Sequence, residues 1–271
     1  MLVVLSDLHL SEAQSTRIDD LTFNKNLNAE IYNSYLHEIN QIALSNRIQH
    51  VDLVLAGDIF EINRSAFWFD GPHRPYIDNR DVEPGSQIEA KILQILDAIA
   101  VEDKVMETLQ LFRSIREGSD VDIQLHYLVG NHDRLLNATP ELRQKARELL
   151  GVGGGDLPLY HQYIYRDGAG KPFCLVRHGH EYDPMNFSVD THALEVIPTE
   201  FSEEVYGNAP LGDINTIEFG AALPFYFVEH YGEDRIISNP ILMALYQRLM
   251  DFDDVRPTSA LLSYLFATPG V

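Results

Sequence analysis

The apolar residues of this sequence fall into short runs that predict buried strands. Three such runs cover Leu2–Leu5, Val51–Ala56 and Val121–Val129, and each of them is rich in apolar side chains. A polar or glycine-containing motif stops each run and marks the end of the predicted strand. The first run starts beside Met1 and reaches Asp7 too early to be a signal peptide.

Helical spacing separates the predicted strands. Residues Leu27–Arg47 carry apolar side chains on roughly one helical face, at Leu27, Ile31, Tyr35, Ile39 and Ile42. Ser86 and Glu89 have the spacing of a capping box, so a long helix is predicted to start there. Gly118 is the residue at which we expect this long helix to stop.

The second half of the chain predicts a helix, a hairpin and a helical tail. Pro140 opens the helix and Gly151 closes it. Tyr160–Arg166 and Pro172–Arg177 flank an Asp-Gly-Ala-Gly sequence, which is a strong signal for a β-hairpin. The spacing over residues 184–271 is mostly helical.

Strands that alternate with helices predict an α/β fold that binds its ligands beyond the carboxyl ends of the strands. We expect a core over residues 1–183, with an insertion at about 61–120, and a helical insertion or lid over residues 184–271. The irregular stretch Ile62–Gly85 contains the aromatic cluster Phe67-Trp68-Phe69. This cluster favours a small core that anchors the insertion over the alternative, a wall of a substrate pocket.

Composition and charge narrow the class of protein. A chain of 271 residues with 45% hydrophobic and 23% charged residues is typical of a globular protein, and no run of about 18 apolar residues predicts a membrane span. The net charge of −21 makes a nucleic-acid partner unlikely, whereas a cleft that holds cations can still accept a small phosphorylated substrate. The single cysteine, Cys174, excludes an intrachain disulfide, and we expect a cytoplasmic protein.

Polar motifs follow the first two strands. Asp7 and His9 come directly after the first strand, and residues two apart in extended backbone point the same way, so they can chelate one cation. Asp58 follows Gly57 after the second strand, where its carboxylate can bridge two metals while the glycine allows close backbone approach. Each motif alone also fits an ordinary polar turn.

Two further motifs follow later strands. In Gly130-Asn131-His132-Asp133 the Asn131 oxygen suits a divalent cation, and His132 beside Asp133 suits a general acid oriented by a carboxylate. His178 and His180 follow the strand of the hairpin and suit metal ligation. Four polar clusters at the ends of four strands converge if the strands share a sheet, which predicts a two-metal site.

The motif order Asp-x-His, Gly-Asp, Gly-Asn-His-Asp and His-Gly-His resembles the signature of the calcineurin-like metallophosphoesterase superfamily. The resemblance covers about residues 3–183 and implies a layered α/β/β/α sandwich with helical insertions. It also implies an enzyme that hydrolyses a phosphate ester or pyrophosphate linkage through a dinuclear centre of Mn, Fe or Zn and a metal-bound hydroxide. The implied metal ligands are Asp7, His9, Asp58, Asn131, His178 and, as the least typical, His180.

The same resemblance implies individual roles. Asp7 and His9 hold the first metal, and Asp58 bridges both metals. His132 faces the leaving group with the help of Asp133. The stretch Gly-Asp-Ile-Phe-Glu is similar to that of UDP-2,3-diacylglucosamine pyrophosphohydrolases, which carry Arg at the position of His132, so the substrate is not assigned from it.

The sequence departs from the family at its last motif, because no Gly-His-x-His follows His180. Three explanations stay open. The chain is part of a longer protein that carries the motif, or His178 and His180 act as the final pair with His161 or another group as the remaining ligand, or the site is degraded. The last explanation corresponds to a non-catalytic or single-metal scaffold protein, and a nuclease is a further alternative that the charge disfavours.

Overall fold

The computed structural model describes residues 1–15, 17–18, 21–22, 26–117 and 120–251. In the described residues the chain folds as a mixed α/β protein with a small parallel sheet and two separate antiparallel pairs of strands. The strands are β1 (Leu2–Leu5), β2 (Arg17–Ile18), β3 (Leu21–Thr22), β4 (His50–Ala56), β5 (Asp122–Leu128), β6 (Gln162–Arg166) and β7 (Pro172–Arg177). The helices of the first part are α1 (Ala29–Ser45), α2 (Gln87–Ala100), α3 (Asp103–Ser114) and α4 (Pro140–Leu150).

The parallel sheet has the strand order β1-β4-β5 and therefore places β4 at its centre. Leu5 pairs with Leu55, and Ala56 pairs with Leu128, so the three strands end at nearly the same level. All residues of β4 after His50 are buried, as expected for a central parallel strand that is covered on both faces. The three predicted strands are confirmed, and their carboxyl ends share one edge.

The predicted hairpin is also confirmed. Strands β6 and β7 pair antiparallel around the turn at residues 167–170. Val176 of β7 packs in one apolar cluster with Val54, Ala56 and Leu128 of the parallel sheet. This packing brings the end of β7 to the edge where β4 and β5 end.

Helix α1 agrees with the predicted bounds, but the predicted buried face is wrong. The buried residues of α1 are Tyr32, Leu36, Ile39 and Ala43. Leu27, Ile31, Tyr35 and Ile42 are exposed, and Ile39 alone of the predicted face is buried. Apolar residues occupy both sides of this helix, so the periodicity does not decide which side meets the core.

The predicted long helix is divided into α2 and α3. Ser86 caps α2 as predicted, because its hydroxyl accepts from the backbone N–H of Glu89 at 3.2 Å. The buried side chain of Glu102 accepts from the N–H of Val105 at 3.0 Å and caps a new helix, so the chain breaks at this point. The predicted stop at Gly118 lies outside the described residues. Helix α4 ends at Gly151 as predicted, with a left-handed φ of 69°.

The described part of the tail is mostly helical from Glu203 onward, as predicted, whereas residues 184–202 contain only the short 3-10 helix Thr191–Ala193. Its elements are α5 (Glu203–Gly207), α6 (Leu211–Asn215), a π-helix (Thr216–Ala221), α7 (Ala222–Tyr231), α8 (Glu233–Ser238) and α9 (Pro240–Met250). The remainder of the predicted tail, residues 252–271, lies outside the described residues. None of the helices in the described part of the chain has the length and apolarity required to cross a membrane.

The aromatic cluster joins the irregular stretch to the rest of the protein. Trp68 is fully buried in the main core, and its indole N–H donates to the carbonyl of Ile62 at 2.7 Å. Phe69 stacks on Phe225 of the tail with ring centroids 4.8 Å apart. These contacts support the anchoring interpretation of the cluster.

Candidate metal centre

Three of the predicted ligands occupy a backbone conformation that side chains rarely adopt. The φ angles of Asp7, His9 and Asp58 are 57°, 44° and 53°. Hydrogen bonds between the loops after β1 and β4 hold them, from the N–H of Asp7 to the carbonyl of Gly57 at 3.1 Å and from the N–H of His9 to the carbonyl of Asp58 at 2.9 Å. Strained left-handed residues of this kind cluster at functional sites.

Asp58 lies at the centre of the site. Its Oδ2 is 3.1 Å from Nε2 of His178 and 3.9 Å from Nε2 of His9. Its Oδ1 accepts from the backbone N–H of His132 at 2.9 Å. The side chain is 5% exposed, so this carboxylate contacts histidines from two different strand ends while it is almost wholly shielded from water.

Two glycines make this close packing possible. Gly57 has a φ of 89°, and a Cβ at its position would lie 2.5 Å from Cγ of His178. A Cβ at Gly130 would overlap the carboxylate of Asp58. The sequence prediction that glycine lets the backbone approach the site therefore agrees with the observed contacts.

His178 turns one ring nitrogen towards the predicted ligands. Its Nδ1 donates to the carbonyl of Ala56 at 2.9 Å, and its Nε2 lies 3.2 Å from Oδ1 of Asn131. Burial lowers the pKa of His178, but the hydrogen bond and charge of Asp58 outweigh burial and raise the pKa to about 9. The carboxylate of Asp58 thus favours a positive charge on the ring of His178.

Ligand atoms of Asp7, Asp58 and His178 all lie within 4.8 Å of one another. Nε2 of His9 is 3.9 Å from Oδ1 of Asp7, and Asn131 touches His178, so five of the predicted ligands converge. Carboxylate, amide oxygen and imidazole donors are a mixture that fits Mn, Fe or Zn. The residues present therefore fit divalent cations.

Glu61 is the main residue of the site that the sequence analysis missed. Its two oxygens accept from Nδ1 of His132 and Nδ1 of His9, both at 2.8 Å, and Nε of Arg64 donates to it at 2.9 Å. Burial opposes its charge, but Arg64 and His132 hold the pKa of Glu61 well below its usual range. Its position three residues after Asp58 is the signal that could have identified it.

His9, Glu61 and His132 also have ligand atoms within 4.8 Å of one another. The Nδ1 atoms of both histidines already donate to Glu61, so this group is a hydrogen-bonded set. The arrangement leaves Nε2 of each histidine for other partners. Burial lowers the pKa of His132, but the charges of Glu61 and Asp58 outweigh it and raise the pKa to about 9.

Asp133 does not have the predicted role. Its fully buried carboxylate accepts from the backbone N–H groups of Ile59 at 2.9 Å and Gly130 at 2.6 Å, and from the hydroxyl of Tyr127 at 2.7 Å. Glu61 takes the predicted place beside the imidazole of His132. The prediction paired neighbours in sequence, whereas in this turn the two side chains point to different partners.

His180 lies outside both groups of ligand atoms. Gly179 has a φ of 102°, and the turn that follows places the ring of His180 against Phe187 and Tyr206. Burial lowers the pKa of His180 to about 4, and within the described part of the chain its Nδ1 has no hydrogen-bond partner. His161 stacks on the ring of Tyr206, with its Nε2 3.2 Å from Glu203, which gives no support for it as a further ligand.

No family model, curated protein or solved structure matches the chain. We therefore infer the function from the geometry of the site. That geometry brings Asp7, His9, Asp58, Asn131 and His178 together with His132 at the edge where β1, β4 and β5 end, beside the end of β7.

Proposed function

We propose that this chain is a metal-dependent phosphoesterase of the calcineurin-like metallophosphoesterase superfamily, on a layered α/β/β/α sandwich. The observation that carries the proposal is the buried carboxylate of Asp58 between His9 and His178, at a left-handed backbone position. A carboxylate held in this way is suited to bridge two cations. The reaction is the hydrolysis of a phosphate ester or pyrophosphate linkage.

The ligand sets follow from the contacts around Asp58. One cation would be held by Asp7, His9 and Asp58, and a second by Asp58, Asn131 and His178. When bound, the two cations would supply the positive charge that lowers the pKa of water and neutralises the phosphoryl oxygens. A histidine binds a metal through a deprotonated ring nitrogen. Nε2 of His178 would therefore lose its proton when a cation binds there.

His132 is the residue we assign to proton donation. Its backbone N–H donates to Asp58 and its Nδ1–H donates to Glu61, which leaves Nε2 as the atom that would give a proton to the leaving oxygen when the ring is protonated. In the metal-free site the pKa of His132 is raised to about 9, which keeps the imidazole protonated at neutral pH. Nε of Arg64 also donates to Glu61, and its charge helps to lower the pKa of this carboxyl.

A cavity beside the site supports a substrate with an uncharged or cationic organic group. The cavity is lined by His9, Glu61 and Arg64 and by apolar side chains of the tail that include Phe225 and Val228. Carboxylates also line it, at Glu12, Glu229 and Glu233. These carboxylates repel an anionic leaving group. They therefore favour a small organic phosphoester over a nucleic acid as the substrate.

The test combines metal content with turnover. We expect the purified protein to hold about two equivalents of Mn, Fe or Zn and to hydrolyse an aryl phosphate with added Mn²⁺. His132→Ala should lose at least 100-fold in kcat, a typical contribution of a general acid. The matched control is His192→Ala, which changes an exposed histidine of the tail and should leave kcat unchanged.

Two results would contradict the proposal. The first is a wild-type protein that binds none of these metals and has no turnover beyond that of His132→Ala. The second is one equivalent of metal without turnover, which would favour the single-metal binding protein that the absent final motif suggests.

A further inference from the structure

A buried ion pair connects the proposed centre to the helical tail. Nη2 of Arg134 donates to Oδ2 of Asp213 at 2.7 Å, and the side chains are 4% and 2% exposed. Arg134 follows His132 by two residues, whereas Asp213 belongs to α6. The contact thus joins positions that are 79 residues apart in the sequence.

The segment from Asn131 to Arg134 begins with a proposed ligand, and the second oxygen of Asp213 is connected to that residue. Its Oδ1 accepts from Nδ2 of Asn63 at 3.0 Å, and the same amide nitrogen approaches the carbonyl of Asn131 at 3.5 Å. Asn63 is 1% exposed, so water does not compete for these contacts. One carboxylate therefore contacts Arg134 directly and Asn131 through Asn63.

The surroundings of the ion pair satisfy the remaining donors of Arg134. Its guanidinium also donates to the carbonyls of Ile77 at 2.8 Å, Pro75 at 3.1 Å and Gly207 at 3.0 Å. A buried charge is tolerated when it is both paired and hydrogen-bonded in this way. The guanidinium consequently fixes the segment against both the irregular stretch and the tail.

The position of Asp213 is itself fixed. The N–H of Gly212 donates to the carbonyl of Met185 at 2.6 Å, and a Cβ at Gly212 would lie 2.6 Å from that oxygen. Helix α6 can approach the chain this closely because residue 212 has no side chain. This close backbone contact fixes the position of the next residue, Asp213, and of its carboxylate.

We propose that Asp213 is a positioning residue of the proposed metal centre, because its buried carboxylate holds both ends of the segment from Asn131 to Arg134. Asp213 thereby orients Asn131 as a ligand and His132 as proton donor, and both of these roles rest on the proposed function. It also changes the role of the tail. Instead of a detachable lid, the tail contributes a residue on which the geometry of the site depends.

The first test is Asp213→Asn in the full chain. This variant removes the charge that faces Arg134, and we expect the dissociation constant for Mn²⁺ to rise at least tenfold by isothermal titration calorimetry. Ile236→Ala is the matched control, since it removes a fully buried side chain of the tail in α8 and has no part in this network. We expect the control to bind Mn²⁺ within threefold of wild type.

A second variant and a second measurement separate positioning from loss of fold. Asn63→Ala keeps the ion pair of Arg134 with Asp213 and removes the amide that bonds both Oδ1 of Asp213 and the carbonyl of Asn131. It should fold and weaken Mn²⁺ binding about three- to tenfold. The second measurement is hydrogen exchange of the His132 amide in metal-free protein, since this N–H donates to Asp58. It should exchange at least tenfold faster in Asp213→Asn and Asn63→Ala than in Ile236→Ala.

The outcomes distinguish the two proposals. Should wild-type protein bind no Mn²⁺, the proposed function fails, and the exchange of the His132 amide still decides the role of Asp213. Equal exchange and equal Mn²⁺ affinity in Asn63→Ala and Ile236→Ala would overturn the positioning role. If Asp213→Asn does not fold, the comparison of Asn63→Ala with Ile236→Ala decides whether Asp213 has the positioning role.

Discussion

Glu61→Gln is the substitution that tests the arrangement of the two histidines most directly. The carboxylate of Glu61 accepts hydrogen bonds from His9 and His132, both at 2.8 Å. Glutamine has nearly the same shape but offers one acceptor and one donor group. Its oxygen can serve one histidine, and its NH₂ group then faces the N–H of the other.

The magnitude follows from the loss of one charge-assisted hydrogen bond. Such a bond contributes about 1.5–3 kcal/mol, which corresponds to a fall in kcat of about 10- to 100-fold if it is lost from the step that uses His132. The substitution also removes the nearest negative charge, so the pKa of His132 should fall from about 9 towards its ordinary value. The alkaline limb of the kcat profile should therefore move to lower pH.

The assay is steady-state hydrolysis of an aryl phosphate between pH 6 and pH 10, with the metal content measured on the same samples. Glu89→Gln is the control, because it changes another buried carboxylate that accepts from the backbone N–H of Gly85 at the start of α2, apart from the site. A Glu61→Gln variant with unchanged kcat and an unmoved alkaline limb would refute the reasoning.

Two further predictions concern the packing of the site and the stability of the sheet. Gly57→Ala should displace His178 and weaken Mn²⁺ binding at least tenfold in calorimetry, whereas Gly71→Ala, with positive φ but open space, should not. For His50, the hydrogen bond that the ring donates to Asp122 outweighs burial and raises the pKa. This stabilisation is complete below pH about 6.5 and is lost as pH rises through the raised pKa. His50→Gln should therefore lower Tm at pH 6 but hardly at pH 9, and equal losses would contradict this.

Local sequence was sufficient for the elements whose signals are local. The strands Leu2–Leu5 and His50–Ala56 are apolar runs that stop at Ser-Asp and Gly-Asp, and the cap at Ser86 needs only a residue three positions ahead. These signals depend on backbone preferences and neighbouring side chains. The same reasoning failed for the buried face of α1 and for the break at Glu102, because both depend on what the helices meet in the core.

Some residues of the candidate site could likewise be predicted from local sequence, and others could not. Motif spacing identified Asp7, His9 and Asp58 at strand ends, since parallel strands bring their carboxyl ends to one edge. It could not identify the partner of His132, because adjacent residues in a turn point in different directions and Glu61 is 71 positions away.

The sequence by itself predicted candidate ligands at the carboxyl ends of strands, and Asp7, His9, Asp58, Asn131 and His178 do lie together there. Only the tertiary structure decided that Glu61 fixes His9 and His132 and that Asp213 holds the segment beside them. The physical reason is that a buried carboxylate is positioned by contacts between distant parts of the chain. Neither composition nor spacing records such contacts.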